Sequence, residues 1–126
     1  MSVSVLHGLP EVAGNYDRVV LQPWRVVHDG VTVFPGVVDA LRQLHAAKKK
    51  LVFLSNAPRR AHLVAAQLDG FGIPASLPAG VMSSGEATWR YLNERPDDLA
   101  RGLGLNSHWL GHGRGHTHRG GAACHK

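Results

Sequence analysis

A chain of 126 residues supports one small domain with a modest core. It holds no apolar run of the roughly 18 to 20 residues a membrane span needs, no cationic, apolar leader over Met1 to Leu9 of the kind that marks secretion, and a single cysteine, Cys124, which excludes an internal disulfide and makes a cytoplasmic setting the default. The net charge of +5 is concentrated at the C-terminal end: all nine acidic residues lie between Glu11 and Asp98, while residues 101–126 carry Arg101, Arg114, Arg119 and Lys126 and no acid, so neither a nucleic-acid partner nor a membrane is expected for the folded part.

Residues 1–15, with Gly8, Pro10 and Gly14, read as a loose lead-in. Tyr16 to Leu21 reads as a strand, and Pro23, which cannot donate to a ladder, should end pairing near Gln22. Val26 to Val33 contains two short β-prone runs around Asp29-Gly30, a hairpin-turn signal, and is expected to form a β-flap. Pro35-Gly36 opens a helix with Val37, Val38, Leu41, Leu44 and His45 on one face, and Lys48 to Lys50 sits where cations favour a helix C-terminus. Leu51 to Leu54 is a continuous apolar run, the pattern of a parallel strand covered on both faces.

Ser55-Asn56-Ala57-Pro58 follows at once, where Ser or Asn caps a helix and Pro suits its first turn; that helix should run from about Pro58 to Leu68 and bury Leu63, Val64 and Leu68. Gly80 to Met82 is a short strand. Ser83 to Glu86 has capping-box spacing for a helix that continues through Ala87 to Arg95, with Trp89 and Leu92 as core contacts and Pro96 as its stop. Strands alternating with helices of this length predict right-handed β-α-β units: an α/β, Rossmann-like fold with a thin parallel sheet of about three strands plus the flap, and helices on both faces. The expected domain is residues 16–100. Residues 101–126, with seven glycines and five histidines, are expected to form a disordered tail. His108, His112, His116, His118 and Cys124 in that tail could bind zinc or nickel by composition, but their spacing matches no closed structural site, and a plain cationic tail is the simpler reading.

Ligands of open parallel sheets bind outside the carboxyl ends of the strands. Two such ends stand out, Leu21 to Arg25 and Leu54 to Arg60. At the second, a strand ends in a small hydroxyl and a helix begins, which is an arrangement for an anion and above all for phosphate; Arg59 and Arg60 would add charge. The plainer alternative is that Ser55 or Asn56 only caps the helix.

The segment YDRVVLQPWRVVHDG, Tyr16 to Gly30, resembles the first motif of the haloacid dehalogenase (HAD) superfamily, class IIA branch, in which one bacterial subgroup reads roughly Asp-x-Trp-Gly-Val-x-His-Asp-Gly. FPGVVDALRQLHAAKKKLVFLSNAPRR, Phe34 to Arg60, is similar to that family's following helix, strand and second motif. VMSSGEATWRYL, Val81 to Leu92, is similar to its next strand and helix. The likeness covers about residues 16–98, with three segments in order. It implies a Rossmann-like core that hydrolyses phosphate monoesters of small molecules through an aspartyl-phosphate, with Mg2+ held by hard oxygen ligands.

Carried over residue by residue, the resemblance places Ser55 at the second-motif hydroxyl with Asn56 beside it, and puts His28 and Asp29 at the mouth of the site. Ser55, Asn56, Arg59 and His28 become the substrate-binding set. Gln22 falls at the nucleophile position and Trp24 at the acid/base position, where its backbone carbonyl would face the metal together with Gln22. Arg25 replaces a Gly, and Pro23 an ordinary strand residue. The family's cap domain, its later Lys and its acidic pair have no counterpart after Asp98. The implied protein is a truncated, impaired phosphatase, or a remnant that binds a phosphorylated ligand without cleaving it. A thin sheet would also leave apolar surface open to self-association.

Overall fold

The structure, a computed structural model, describes residues 8–104. The tail histidines and Cys124 lie outside the described residues. A short helix, α1 (Pro10–Ala13), falls inside the expected lead-in. It is followed by β1 (Arg18–Leu21), α2 (Val37–Ala46), β2 (Lys50–Ser55), α3 (Ala61–Gly70), β3 (Gly80–Ser83), α4 (Ser84–Glu94) and α5 (Asp98–Gly102). The three strands form one parallel sheet in the order β1-β2-β3. The chain is therefore of the α/β class, a partial Rossmann-like core. Among the described residues no helix is long and apolar enough to cross a membrane.

Register explains where the core sits. Val19 pairs with Leu51 and Leu21 with Phe53, and Phe53 pairs in turn with Val81. Side chains alternate across a strand, so these residues share one face. Leu51 and Phe53 are fully buried there against Leu41 and Leu44 of α2 and Val64 and Leu68 of α3. The crossovers β1-α2-β2 and β2-α3-β3 advance in the same direction, which brings α2 and α3 to the same side. The opposite face is far more open: Val20 is 62% exposed and Leu54 52%. The expectation that Leu51 to Leu54 is covered on both faces is thus corrected.

Other boundaries moved for local reasons. β1 begins at Arg18 and stops, as Pro23 requires, before a buried proline whose carbonyl accepts from Val27 and His28 N–H at 2.9 and 3.2 Å. The flap is a compact turn and not a two-strand ribbon. It is closed by a single antiparallel bridge, His28 to Val33, and by Phe34 N–H donating to the Val27 carbonyl at 3.0 Å. His45 is exposed at the end of α2, its ring 3.3 Å from the Leu77 carbonyl. Residues 101 and 102, expected in the tail, complete α5, which Asp97 caps by accepting from Ala100 N–H at 2.8 Å and which buries Ala100.

Candidate functional site

The carboxyl ends of β1 and β2 open onto a cleft of about 360 Å³ lined by Gln22, Trp24, His28, Ser55, Asn56 and Arg59, with Val64 and Gln67 of α3 as part of its wall. The residues singled out at the two strand ends therefore share one concavity. β1 delivers Gln22 immediately after Leu21, and β2 delivers Ser55 as its last residue. The Ser55 Oγ accepts from Ala57 N–H at 3.1 Å, which leaves the hydroxyl hydrogen free to donate. The Arg59 guanidinium gives one Nη2–H to Gln67 Oε1, an anchor that holds it over the cleft.

His28 is the buried polar member of the site, 5% exposed. Its Nδ1 accepts from Gly30 N–H at 3.0 Å, which requires the neutral tautomer with hydrogen on Nε2. Burial pushes its pKa below 6.5; the Asp29 carboxylate opposes this and the Arg59 guanidinium reinforces it. Among the described residues no buried side-chain N or O lacks a partner, so the unbonded Nε2 keeps its contact with the cleft. Phe71 lies 4.7 Å from the imidazole, centroid to centroid, and Trp24 meets it edge-on at 5.9 Å. The Trp24 indole also covers Gly30, where φ is +103° and a Cβ would come within 2.5 Å of the ring. Trp24 thus fastens the flap; an indole N–H cannot serve as a carboxylate acid/base.

Asp29 does not reach for a ligand. Its Oδ1 accepts from Val31 and Thr32 N–H at 2.8 and 2.7 Å, and these backbone bonds, Thr32 first, hold its pKa below the usual carboxylate range. It builds the flap turn, the plainer of its two sequence readings.

The loop after Ser55 departs from expectation. The helix starts at Ala61 and not at Pro58, with Arg60 as N-cap and no cap from its own side chain. Neither Ser55 nor Asn56 caps α3. Instead Glu86 of α4, 6% exposed, reaches across: its Oε2 accepts from Ala61 N–H at 3.1 Å and from Arg60 Nε at 2.7 Å, while Oε1 takes Arg90 at 3.2 Å. These partners, Arg60 first, hold the Glu86 pKa down to about 2. Ser83 Oγ caps α4 by accepting from Glu86 N–H at 3.1 Å and donates to the Arg59 carbonyl, and Gly85 N–H donates to the Ala57 carbonyl at 3.1 Å. The predicted capping box is therefore half-formed: its serine caps locally, and its glutamate holds the neighbouring loop. Arg60 does not line the cleft; its guanidinium lies 3.7 Å over the Trp89 ring. Trp89, expected in the core, is half-buried and serves as that platform. Gly85, Glu86, Gln67 and Phe71 were not foreseen as parts of the site; the capping-box spacing was the one sequence signal near them.

The donor set does not suit Mg2+. That ion needs several hard oxygens with carboxylate among them, and none of the residues lining the cleft is acidic. The described residues contain no cluster of three or more His, Cys, Asp or Glu placed to hold a metal. Gln22 offers an amide oxygen where the resemblance calls for a carboxylate.

A hydroxyl, amides and a guanidinium gathered at the carboxyl edge of an open parallel sheet place this chain in the α/β class whose ligands bind at that edge. The comparisons agree with that class. The family described as haloacid dehalogenase-like hydrolase matches residues 19–108, and the chain belongs to this family. A solved structure of a hydrolase of the haloacid dehalogenase-like family from Brucella suis 1330 is similar at 27% identity and a TM-score of 0.67, over 82% of this chain and 36% of that one. The chain thus spans about a third of that relative's length. No curated protein matches it.

Proposed function

We propose that this chain is a class IIA-like member of the family that holds the phosphate group of a small phosphorylated molecule without hydrolysing it. The observation that carries the reading is the end of β1, where Gln22 stands beside Ser55, Asn56, Arg59 and His28 in one cleft. In this reading Ser55, Asn56, Arg59 and His28 bind the ligand, Gln22 occupies the nucleophile position and Trp24 the acid/base position. An amide is neutral and a poor nucleophile at phosphorus, and losing a covalent nucleophile removes many orders of magnitude of rate. Residues 16–100 form the working unit, and a cytoplasmic setting fits the single cysteine.

Turnover of p-nitrophenyl phosphate with magnesium is the test of the chemical half. The chain is expected to show none above background, and turnover above background at a rate comparable to that of Gln22→Asp would refute the proposal. Inorganic phosphate should raise the melting temperature in proportion to the logarithm of its concentration above Kd. No shift at millimolar phosphate would refute the binding half.

A further inference from the structure

We infer that the cleft takes a tetrahedral oxyanion directly, with no magnesium ion between protein and ligand. This rests on the phosphate-binding reading above and specifies how that binding works. A magnesium-dependent phosphate site is negatively charged before the metal arrives, because carboxylates must hold the ion. Here the sign is reversed: the residues lining the cleft include the Arg59 guanidinium and no carboxylate.

Two carboxylates of the flanking elements, Asp29 and Glu86, are committed elsewhere. Both Asp29 oxygens serve the flap turn, Oδ1 accepting from the Val31 and Thr32 amides and Oδ2 lying 3.3 Å from the Thr32 hydroxyl. Both Glu86 oxygens serve Arg60, Ala61 and Arg90. Among the described residues lining the cleft, a divalent cation would meet the Arg59 guanidinium and no carboxylate.

The groups that remain can each donate a hydrogen bond. The Ser55 hydroxyl hydrogen is free because its oxygen already accepts from Ala57. Arg59 spends one nitrogen on Gln67 and keeps its other N–H groups. The Gln22 and Asn56 amides each carry two N–H groups. His28 is the most telling of them. The residue is 5% exposed, its Nδ1 is fixed as an acceptor by Gly30, and Nε2–H, open to the cleft, has no hydrogen-bond partner among the described residues. A donor held in one tautomer and open to the cleft can give its hydrogen bond to an oxyanion there. The site does not depend on the start of α3, whose first amide already donates to Glu86. The ligand class is therefore a phosphate monoester or an equivalent tetrahedral anion, recognised by neutral donors and one guanidinium.

The test is calorimetric titration of the full chain with inorganic phosphate, once in EDTA and once in millimolar magnesium chloride. Affinity is expected to agree within about twofold between the two conditions, well inside the tenfold that 1.4 kcal/mol represents. Gln22→Asp restores a carboxylate at an exposed position and is expected to weaken phosphate binding in EDTA by about tenfold through like-charge repulsion, with magnesium recovering the loss. Thermal melts of this variant establish that it folds. Phosphate binding by the unaltered chain only in magnesium would overturn the inference and leave the proposed function standing. Binding in neither condition would overturn both.

Discussion

Gly85→Ala is a sharp probe of how the site is held. Gly85 lies in the first turn of α4, where alanine would ordinarily favour the helix by up to about 1 kcal/mol. A Cβ at this position would stand 2.1 Å from the Pro58 carbonyl oxygen, 2.4 Å from its carbon and 2.6 Å from the Arg59 carbonyl oxygen. All three atoms are backbone, so no side chain can rotate away. Real Cβ contacts essentially never fall below 3.0 Å, so α4 and the loop must part by nearly an ångström. That motion strains the Gly85 to Ala57 bond, the Ser83 to Arg59 bond and the Glu86 clasp on Arg60 and Ala61. Overpacking together with one or two weakened hydrogen bonds amounts to roughly 2–4 kcal/mol, or a fall in Tm of about 10–25 °C for a domain of this size. Differential scanning calorimetry reads it directly. Gly80→Ala, where a Cβ meets nothing within 4 Å, is the control and should leave Tm nearly unchanged. A Gly85→Ala protein that melts at or above the parent would refute the close approach of α4 to the loop.

Three further outcomes follow from the same geometry. Glu86 is held at a pKa of about 2 against an ordinary 4.5, so the folded state favours its carboxylate; that stabilisation is complete above about pH 4.5 and is lost as pH falls toward 2. Acid unfolding of Glu86→Gln should lose up to one proton's worth of slope in that window, and an unchanged slope would contradict the clasp. Arg25 holds φ at +63° with an exposed side chain, a strain of about 1 kcal/mol for a residue with a Cβ; Arg25→Gly should raise Tm by several degrees, whereas Arg25→Ala should not, and equal effects of the two would rule the strain out. The open sheet face predicts self-association: the chain should elute larger with rising concentration in size exclusion, and Val20→Thr with Leu54→Thr should return it toward a monomer. A parent chain that is monomeric at every concentration would exclude that surface.

The order of strands and helices was legible because hydrophobic period carries it. Leu41 and Leu44, Val64 and Leu68, and the Leu51 to Leu54 run each mark an element without help from the rest of the chain. The cleft was legible in outline for a topological reason, since Gln22 and Ser55 end neighbouring parallel strands. What local pattern could not reveal was long-range. The start of α3 is decided by Glu86, some 25 residues further on, so Pro58 only resembled a first-turn residue. Trp89 sits at core spacing on its helix, but its partner is Arg60 on another element. Leu54 belongs to an apolar run whose covering depends on which side the crossovers place their helices, and both α2 and α3 pack on the Leu51–Phe53 face. Gly85 lies inside the capping-box spacing, which says nothing of its steric role; that role is set by the Pro58 and Arg59 backbone on another segment.

Amide chemical-shift mapping during titration with inorganic phosphate tests the central claim most directly, because it reports place as well as binding. Saturable shifts are predicted at Ser55, Asn56, Ala57 and the Gln22 and Asn56 side-chain amides, together with the His28 imidazole N–H, while Val20 and Leu54 on the open sheet face stay fixed. Shifts confined to residues outside the cleft, or none at all, would contradict the account.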